Sequence, residues 1–168
     1  MDLNQLNTLP RMAAEAEFLK CCGSQRWAQA MTMARPFDSL DEVLDGADTL
    51  WWSLSEADWL EAFRAHPKIG EKKAATEQSQ QAQSWSAQEQ AGVASASAST
   101  VGELADRNRD YENRFGFIFI VCATGKTSEE MLDLLKGRLP NDTTTEIRIA
   151  AEEQSKITRL RLEKLIKQ

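Results

Sequence analysis

The chain has 168 residues, a formal net charge of −6 and three cysteines, with a sequence pI of about 4.9. That length suits one domain spanning residues 1–168, able to bury about two thirds of its unfolded surface without disulfide staples. The acidic balance argues against general nucleic-acid binding, which needs clustered Lys and Arg, and the odd, unspaced Cys21, Cys22 and Cys122 argue against a disulfide framework and the usual zinc or redox patterns.

The cysteines therefore read as reduced thiols of a cytoplasmic protein. The longest unbroken apolar run, Phe117 to Ala123, falls far short of the roughly 20 residues of a membrane span. The opening MDLNQLNTLP lacks the basic stretch and apolar core of a signal peptide, and the closing LIKQ is no peroxisomal tripeptide. A soluble chain without membrane or nucleic-acid partners is expected.

Only four prolines and eight glycines interrupt the chain, and the helix formers Ala, Leu, Glu, Gln and Lys fill most windows. Residues 3–22 predict a helix that stops at Gly23. Ser24 to Ala34 predicts a second, ending near Arg35 because Pro36 disfavours α geometry before it. Leu40 to Leu54 reads as a helix carrying Trp51 and Trp52. Ser55-Glu-Ala-Asp58 has the form of a capping signal for a short helix with Trp59, Leu60 and Phe63 on one side, running straight into His66.

Residues 71–83, EKKAATEQSQQAQ, are polar and predict a loop or a loosely packed turn. A long Ala-rich helical region is expected from Ser86 to about Arg114, with a break near Ser99 or Gly102. FGFIFIVCA, 115–123, is β-like by propensity, but one strand without a partner is expected instead as a buried connection or helix start. GKTSEEMLDLLKGRL predicts a helix capped by Thr127 or Ser128, and Thr143 to Ile166 predicts the longest helix. The tryptophans at 27, 51, 52, 59 and 85 read as core. There is no internal repeat and no interdomain linker.

His66 is the only histidine, hence the only side chain that titrates near neutral pH without environmental help. It follows a predicted helix, whose negative end favours the imidazolium, and Pro67 pushes it out of α geometry and presents the ring at a corner. A helix C-cap and a catalytic group both fit that setting.

Ser86-Ala87-Gln88-Glu89 is a capping-box sequence, in which the serine accepts from the backbone at N3 and the glutamate reaches back. That is the favoured reading of the four residues by themselves. Yet Ser86, Glu89 and Gln90, spaced i, i+3, i+4, share one helix face that a small polar ligand could use.

Periodicity singles out Arg161. At about 100° per residue, Ile147, Ala150, Gln154, Ile157 and Leu165 fall within roughly 40° of it around the last helix, while Arg148 and Arg159 project to the other side. An arginine centred on an apolar stripe needs an anion, either an internal carboxylate or a substrate's.

Other chemistries fit poorly. GKTS, 125–128, resembles the tail of a phosphate loop, but Ile120 stands where its first glycine belongs. One histidine with no clustered cysteines or carboxylates predicts no metal site. No serine has a G-x-S-x-G context, and the apolar run around Cys122 raises its pKa instead of activating it.

AHPKIG (65–70), SAQEQAGV (86–93), YENRFGFIFIVCA (111–123) and RLPNDTTTEIRIAAEEQSKITRLRLEKL (138–165) together resemble the 2-oxo-4-hydroxy-4-carboxy-5-ureidoimidazoline (OHCU) decarboxylases of urate breakdown. CCGSQRWAQAMTMARPF is similar to a bacterial member. The resemblance implies an all-α, single-domain helical bundle with a long C-terminal helix, and cofactor-free decarboxylation to (S)-allantoin. The family's catalytic histidine falls on His66, with Pro67 lining the site. Its serine, glutamate and glutamine fall on Ser86, Glu89 and Gln90, within a binding segment that includes Ala87 and Gln88. A second binding segment falls on Phe119, Ile120, Val121, Cys122 and Ala123, and the arginine of its LRL motif on Arg161. In one departure, Ile118 stands where many relatives have the proline of FGFPF.

His66 and Glu89 are then expected to manage the proton, with His66 the donor, while the remaining residues hold the substrate. No metal or cofactor is expected, the partner is a small-molecule substrate, and a homodimer is one assembly open to the chain. Two other readings remain open on the residues: a non-catalytic helical interaction module, and a hydrolase or isomerase acting on another ureido compound of the same pathway.

Overall fold

Side-chain caps and prolines set the helix boundaries in the computed structural model of the chain, which describes residues 1–71, 74 and 76–166. The described residues form nine α-helices and no strand. The all-α fold with a long C-terminal helix is as expected. Contacts gather into two compact units, Met1–Ala62 with Ser155–Gln168, and Phe63–Gln154. No described helix is long and apolar enough to cross a membrane.

In the first unit, the one helix expected over 3–22 is two: α1 (Leu3–Thr8) and α2 (Arg11–Cys21). Pro10 is the reason. It throws Leu9 to ψ 141° and cannot donate the N–H that a continuous helix requires. The carbonyls freed at the end of α1 are taken by Arg35, whose Nη1 donates to Leu6 O at 2.6 Å and Leu9 O at 2.9 Å. Ser24 caps α3 (Gln25–Ala34) and Ser39 caps α4 (Leu40–Trp52), each accepting from the backbone N–H three residues on.

Phe18 and Trp27 meet edge to face at 6.0 Å, both fully buried, and the Trp27 indole N–H donates to Ala47 O. Burial of a side chain such as Phe18 contributes about 1.5–3 kcal/mol. At the head of α5 (Glu56–Arg64) the Ser55 hydroxyl and Asp58 carboxylate bond each other at 2.7 Å, as the capping signal predicts. Trp51, Trp52 and Trp59 cluster there, with ring centroids 5.9 and 5.6 Å from Trp59. Four of the five tryptophans are buried.

The second unit departs from expectation in two places. Residues 80–83 are helical, because α6 runs Gln80–Glu89 from a cap at Ser79, whose side chain accepts from Ala82 N. Ser86 is therefore mid-helix and not an N-cap; the capping-box reading of Ser86 and Glu89 fails. The long helix expected from Ser86 breaks earlier than Ser99: α6 ends, a short 3-10 turn covers Ala91–Val93, and α7 (Ala98–Phe115) starts afresh from the Ser97 cap. Gly92 sits in that turn because a Cβ there would meet Lys126 O at 2.1 Å.

Gly116 ends α7 at φ 79°, a left-handed conformation that costs glycine little. Residues 117–123 then form neither helix nor strand and serve as the buried connection, with Phe117 and Phe119 buried and Ile118 half-buried. Tyr111 gathers Phe115, Phe117 and Phe119 around it at 4.6–5.8 Å. Thr127 caps α8 (Ser128–Arg138) in a full capping box with Glu130, and α9 runs Thr143–Leu165.

One buried ion pair braces this unit. Arg138 Nε donates to Glu146 Oε1 at 2.6 Å, and Asn141 and Tyr111 also donate to Glu146. Burial, opposed by Arg138 and reinforced by Glu146, pushes the Tyr111 hydroxyl far above its ordinary pKa.

Candidate functional site

His66 lies just beyond α5, where its N–H closes a turn on Phe63 O at 3.1 Å, and the ring is buried at 7% exposure. The loop that follows is clamped at three points. Gln90, at the end of α6, accepts from Gly70 N at 2.9 Å and donates to Lys68 O at 3.5 Å. Asn108 donates to Ile69 O at 3.0 Å, and Lys68 pairs with Glu112 at 2.6 Å. Gly70, at φ 90°, allows the tight corner this needs.

The ring itself is held from α9. His66 Nε2 lies 2.7 Å from Gln154 Oε1, and Gln154 is fully buried. Its neighbour Glu153 accepts from the Cys122 backbone N–H at 2.7 Å. Two consecutive residues of one helix thus bond the imidazole and the 119–123 segment.

That segment is buried throughout and its backbone is held by charged side chains. Arg138 Nη1 donates to Ile120 O at 2.6 Å with its guanidinium 4.6 Å from the centre of the Phe119 ring. Lys126 Nζ donates to Cys122 O at 2.7 Å. Burial pushes the Cys122 thiol up; Lys126 opposes this, and the Glu153 and Glu89 carboxylates add to it. The direction is the one expected from the apolar run.

Ser86 and Glu89 lie on the buried face of α6 with Ala82 and Trp85. Ala87 and Gln88 are exposed. Pro67, Ser86, Ala87 and Gln90 line an open cleft of about 720 Å³, together with Gly70 and Val93, a volume in the range of small-molecule sites. Gln88 is not among its lining residues.

Arg161 lies in the other unit, at 3% exposure, its Nη1 3.4 Å from Lys20 O. The helical phase is as predicted: Ile147, Ala150, Gln154, Ile157 and Leu165 are buried, while Arg148 and Arg159 are exposed. Burial pushes the Cys21 thiol far up, with Arg161 the main opposing charge. Burial also pushes Cys22 up, to about 12, against the Ser24 backbone, the Thr158 hydroxyl and Arg161.

The sequence reading missed Asn108, Arg138, Glu153 and any role for Gln154. Two of these carried a signal: Asn108 interrupts the stripe Leu104, Tyr111, Phe115, and Gln154 interrupts that of α9. A buried polar side chain on an apolar stripe demands a partner. Among the described residues no three His, Cys, Asp or Glu side chains gather as metal ligands. What the cluster around His66 offers is a titratable ring held by a neutral amide and a backbone edge fixed by Glu153.

A model of the OHCU decarboxylase family matches residues 7–163. The chain is 42% identical over 151 residues to the Arabidopsis thaliana "Uric acid degradation bifunctional protein TTL", covering 90% of this chain and 47% of that protein. It thus spans about half the length of that relative. It is 31% identical over 175 residues to the 2-oxo-4-hydroxy-4-carboxy-5-ureidoimidazoline decarboxylase of Amia calva, covering 99% and 95%. A crystal structure of an OHCU decarboxylase in the presence of (S)-allantoin is similar in fold, with a TM-score of 0.78 and 41% identity over 89% of this chain and 96% of that one.

Proposed function

Because the chain belongs to the OHCU decarboxylase family, we propose that it decarboxylates 2-oxo-4-hydroxy-4-carboxy-5-ureidoimidazoline to (S)-allantoin in urate breakdown, without a cofactor. The substrate suits that chemistry. Its carboxylate sits beside a ring C=N, so the electron pair released with CO2 passes into the heterocycle and no pyridoxal phosphate or thiamine is needed to hold it. The protein's task is to orient the ring and deliver one proton to one face.

The observation that carries this reading is the pair of bonds from α9, Glu153 to Cys122 N–H and Gln154 to the His66 ring. They hold an acid and a backbone edge in fixed register. His66 serves as proton donor and Glu89 shares the proton handling; such a donor contributes about 10²–10⁴-fold in rate. Gln90 and the backbone amides of 119–123 hold the ring and ureido group and Ser86 helps fix the pose, with Pro67, Ala87 and Gln88 beside them. Arg161, assigned by the LRL motif, binds an anionic or carbonyl group of the substrate.

Residues 1–168 form one decarboxylase domain, supported by the span of the family match. The bacterial type rests on CCGSQRWAQAMTMARPF. A cytoplasmic protein that acts on a small molecule and not on nucleic acid or membranes, with a homodimer as the candidate assembly, accords with the net charge of −6 and the free thiols.

Optical rotation appearing from enzymatically generated substrate tests the activity, since the uncatalysed route gives racemic allantoin. Optically active product is expected, and His66→Asn should retain less than about a tenth of the rate. Racemic product at the background rate would sink the reading.

A further inference from the structure

We propose that Gln154 is a positioning residue that locks His66 as its Nε2–H tautomer, so that Nδ1 is the ring nitrogen that delivers the substrate's proton. The second half rests on the decarboxylase reading; the first is a property of the folded chain alone.

The argument starts from satisfaction. Gln154 is fully buried on the apolar stripe of α9, and a buried amide oxygen requires a donor. Its Oε1 lies 2.7 Å from His66 Nε2. A neutral imidazole carries its proton on one nitrogen and a lone pair on the other, while an amide oxygen only accepts. The nitrogen facing Oε1 must therefore be the one that carries hydrogen, and the hydrogen bond on one ring nitrogen sets the state of the other.

Neutrality at position 154 matters as much as the bond. In the imidazolium both nitrogens carry hydrogen, so the Nε2–H bond to Gln154 persists whether Nδ1 is protonated or not, and the ring need not turn during the cycle. A carboxylate there would hold the proton on the ring. The loop is already clamped by Gln90 and Asn108, and the Gln154 bond acts on the ring itself.

The proton balance closes. As the C–C bond to the carboxylate breaks, its pair becomes a ring C=C bond and the C=N pair moves onto nitrogen, which takes a proton. The enol at the ring carbon that carried the carboxylate then becomes a carbonyl, releasing its hydroxyl proton to solvent, as the neighbouring carbon takes the proton of Nδ1. One proton is consumed overall, and His66 regains it from solvent.

Because His66 is the only histidine, protein labelled with 15N-histidine gives one ring spin system and needs no assignment. Two-bond 1H–15N spectra, recorded where the ring is neutral, should show Nδ1 as the lone-pair nitrogen and Nε2 as the N–H in wild type. In Gln154→Met, near-isosteric but without an amide oxygen, the two nitrogen shifts should move toward each other as the ring samples both tautomers. The same variant should lose about tenfold or more in kcat with KM changed less than about twofold, because Gln154 sets the donor and not the pocket. Gln154→Leu reads the same should the Met variant not fold.

A wild-type Nδ1–H tautomer, shifts unchanged in both variants, or released shifts with unchanged kcat would each overturn the proposal. A wild-type protein with the expected spectra and no decarboxylation would fail the decarboxylase reading and leave the hold of Gln154 on the ring standing.

Discussion

Arg161 and Arg159 sit two residues apart on α9, one buried and one exposed with its Nε 3.6 Å from Glu163. Lysine at 161 keeps the charge and loses the planar fork. Arg161→Lys should therefore raise KM by about tenfold to a hundredfold, the equivalent of a charged-group hydrogen bond of ~1.5–3 kcal/mol, with kcat falling too if the contact tightens in the transition state. Arg159→Lys should change neither, since an exposed i,i+4 pair is worth ~0.3–0.5 kcal/mol. Steady-state kinetics on the two variants decide. Damage from the Arg159 change alone would remove Arg161 from the site, and a loss of thermal stability without a kinetic effect would make Arg161 a purely internal partner.

At the scale of elements, α6 is where local signals misled. Ser86-Ala-Gln-Glu89 carries the stronger capping signature, because Ser79 has Ala82 and not Glu or Gln at N3. The helix nevertheless begins at Ser79, since that register buries Ala82, Trp85, Ser86 and Glu89 on one face, and packing outweighs one cap of ~1 kcal/mol. Ser79→Ala should cost about 1 kcal/mol in thermal unfolding with kcat/KM preserved. Ser86→Ala removes no cap, so its main effect should be a higher KM. A cap-sized loss of stability from Ser86→Ala and none from Ser79→Ala would put the start of α6 back at Ser86.

For the whole molecule, the three buried thiols couple folding to pH. Cys21, Cys22 and Cys122 are all raised from the ordinary value of 9.0, in each case chiefly by burial. Unfolded chains release these protons as pH passes 9.0 while the folded chain keeps them, so the unfolded state binds fewer protons and stability falls with rising pH. The contribution is complete below pH 9.0 and is lost above it as pH climbs toward the folded values. Each thiol that ionises only when unfolded costs ~1.4 kcal/mol per pH unit. Thermal unfolding should shift to lower temperature from pH 9 to pH 10.5, and the native protein should resist alkylation at pH 8. A flat profile over that interval, or rapid labelling of the folded chain, would contradict the buried-thiol account.

What the sequence by itself determined is local or periodic: helices wherever strong formers run uninterrupted, the corner at His66-Pro67, the Thr127 cap, and the buried phase of Arg161 on α9. These follow from propensity and from a repeat of 3.6 residues, which neighbours along the chain suffice to define. Tertiary structure alone decided which partner each buried polar group finds. His66 meets Gln154 across 88 positions, Asn108 meets Ile69 across 39, and Gln90, which lines the cleft, also meets Gly70 across 20. No local pattern encodes such pairs, because a buried donor or acceptor is satisfied by whatever group packing brings within about 3 Å.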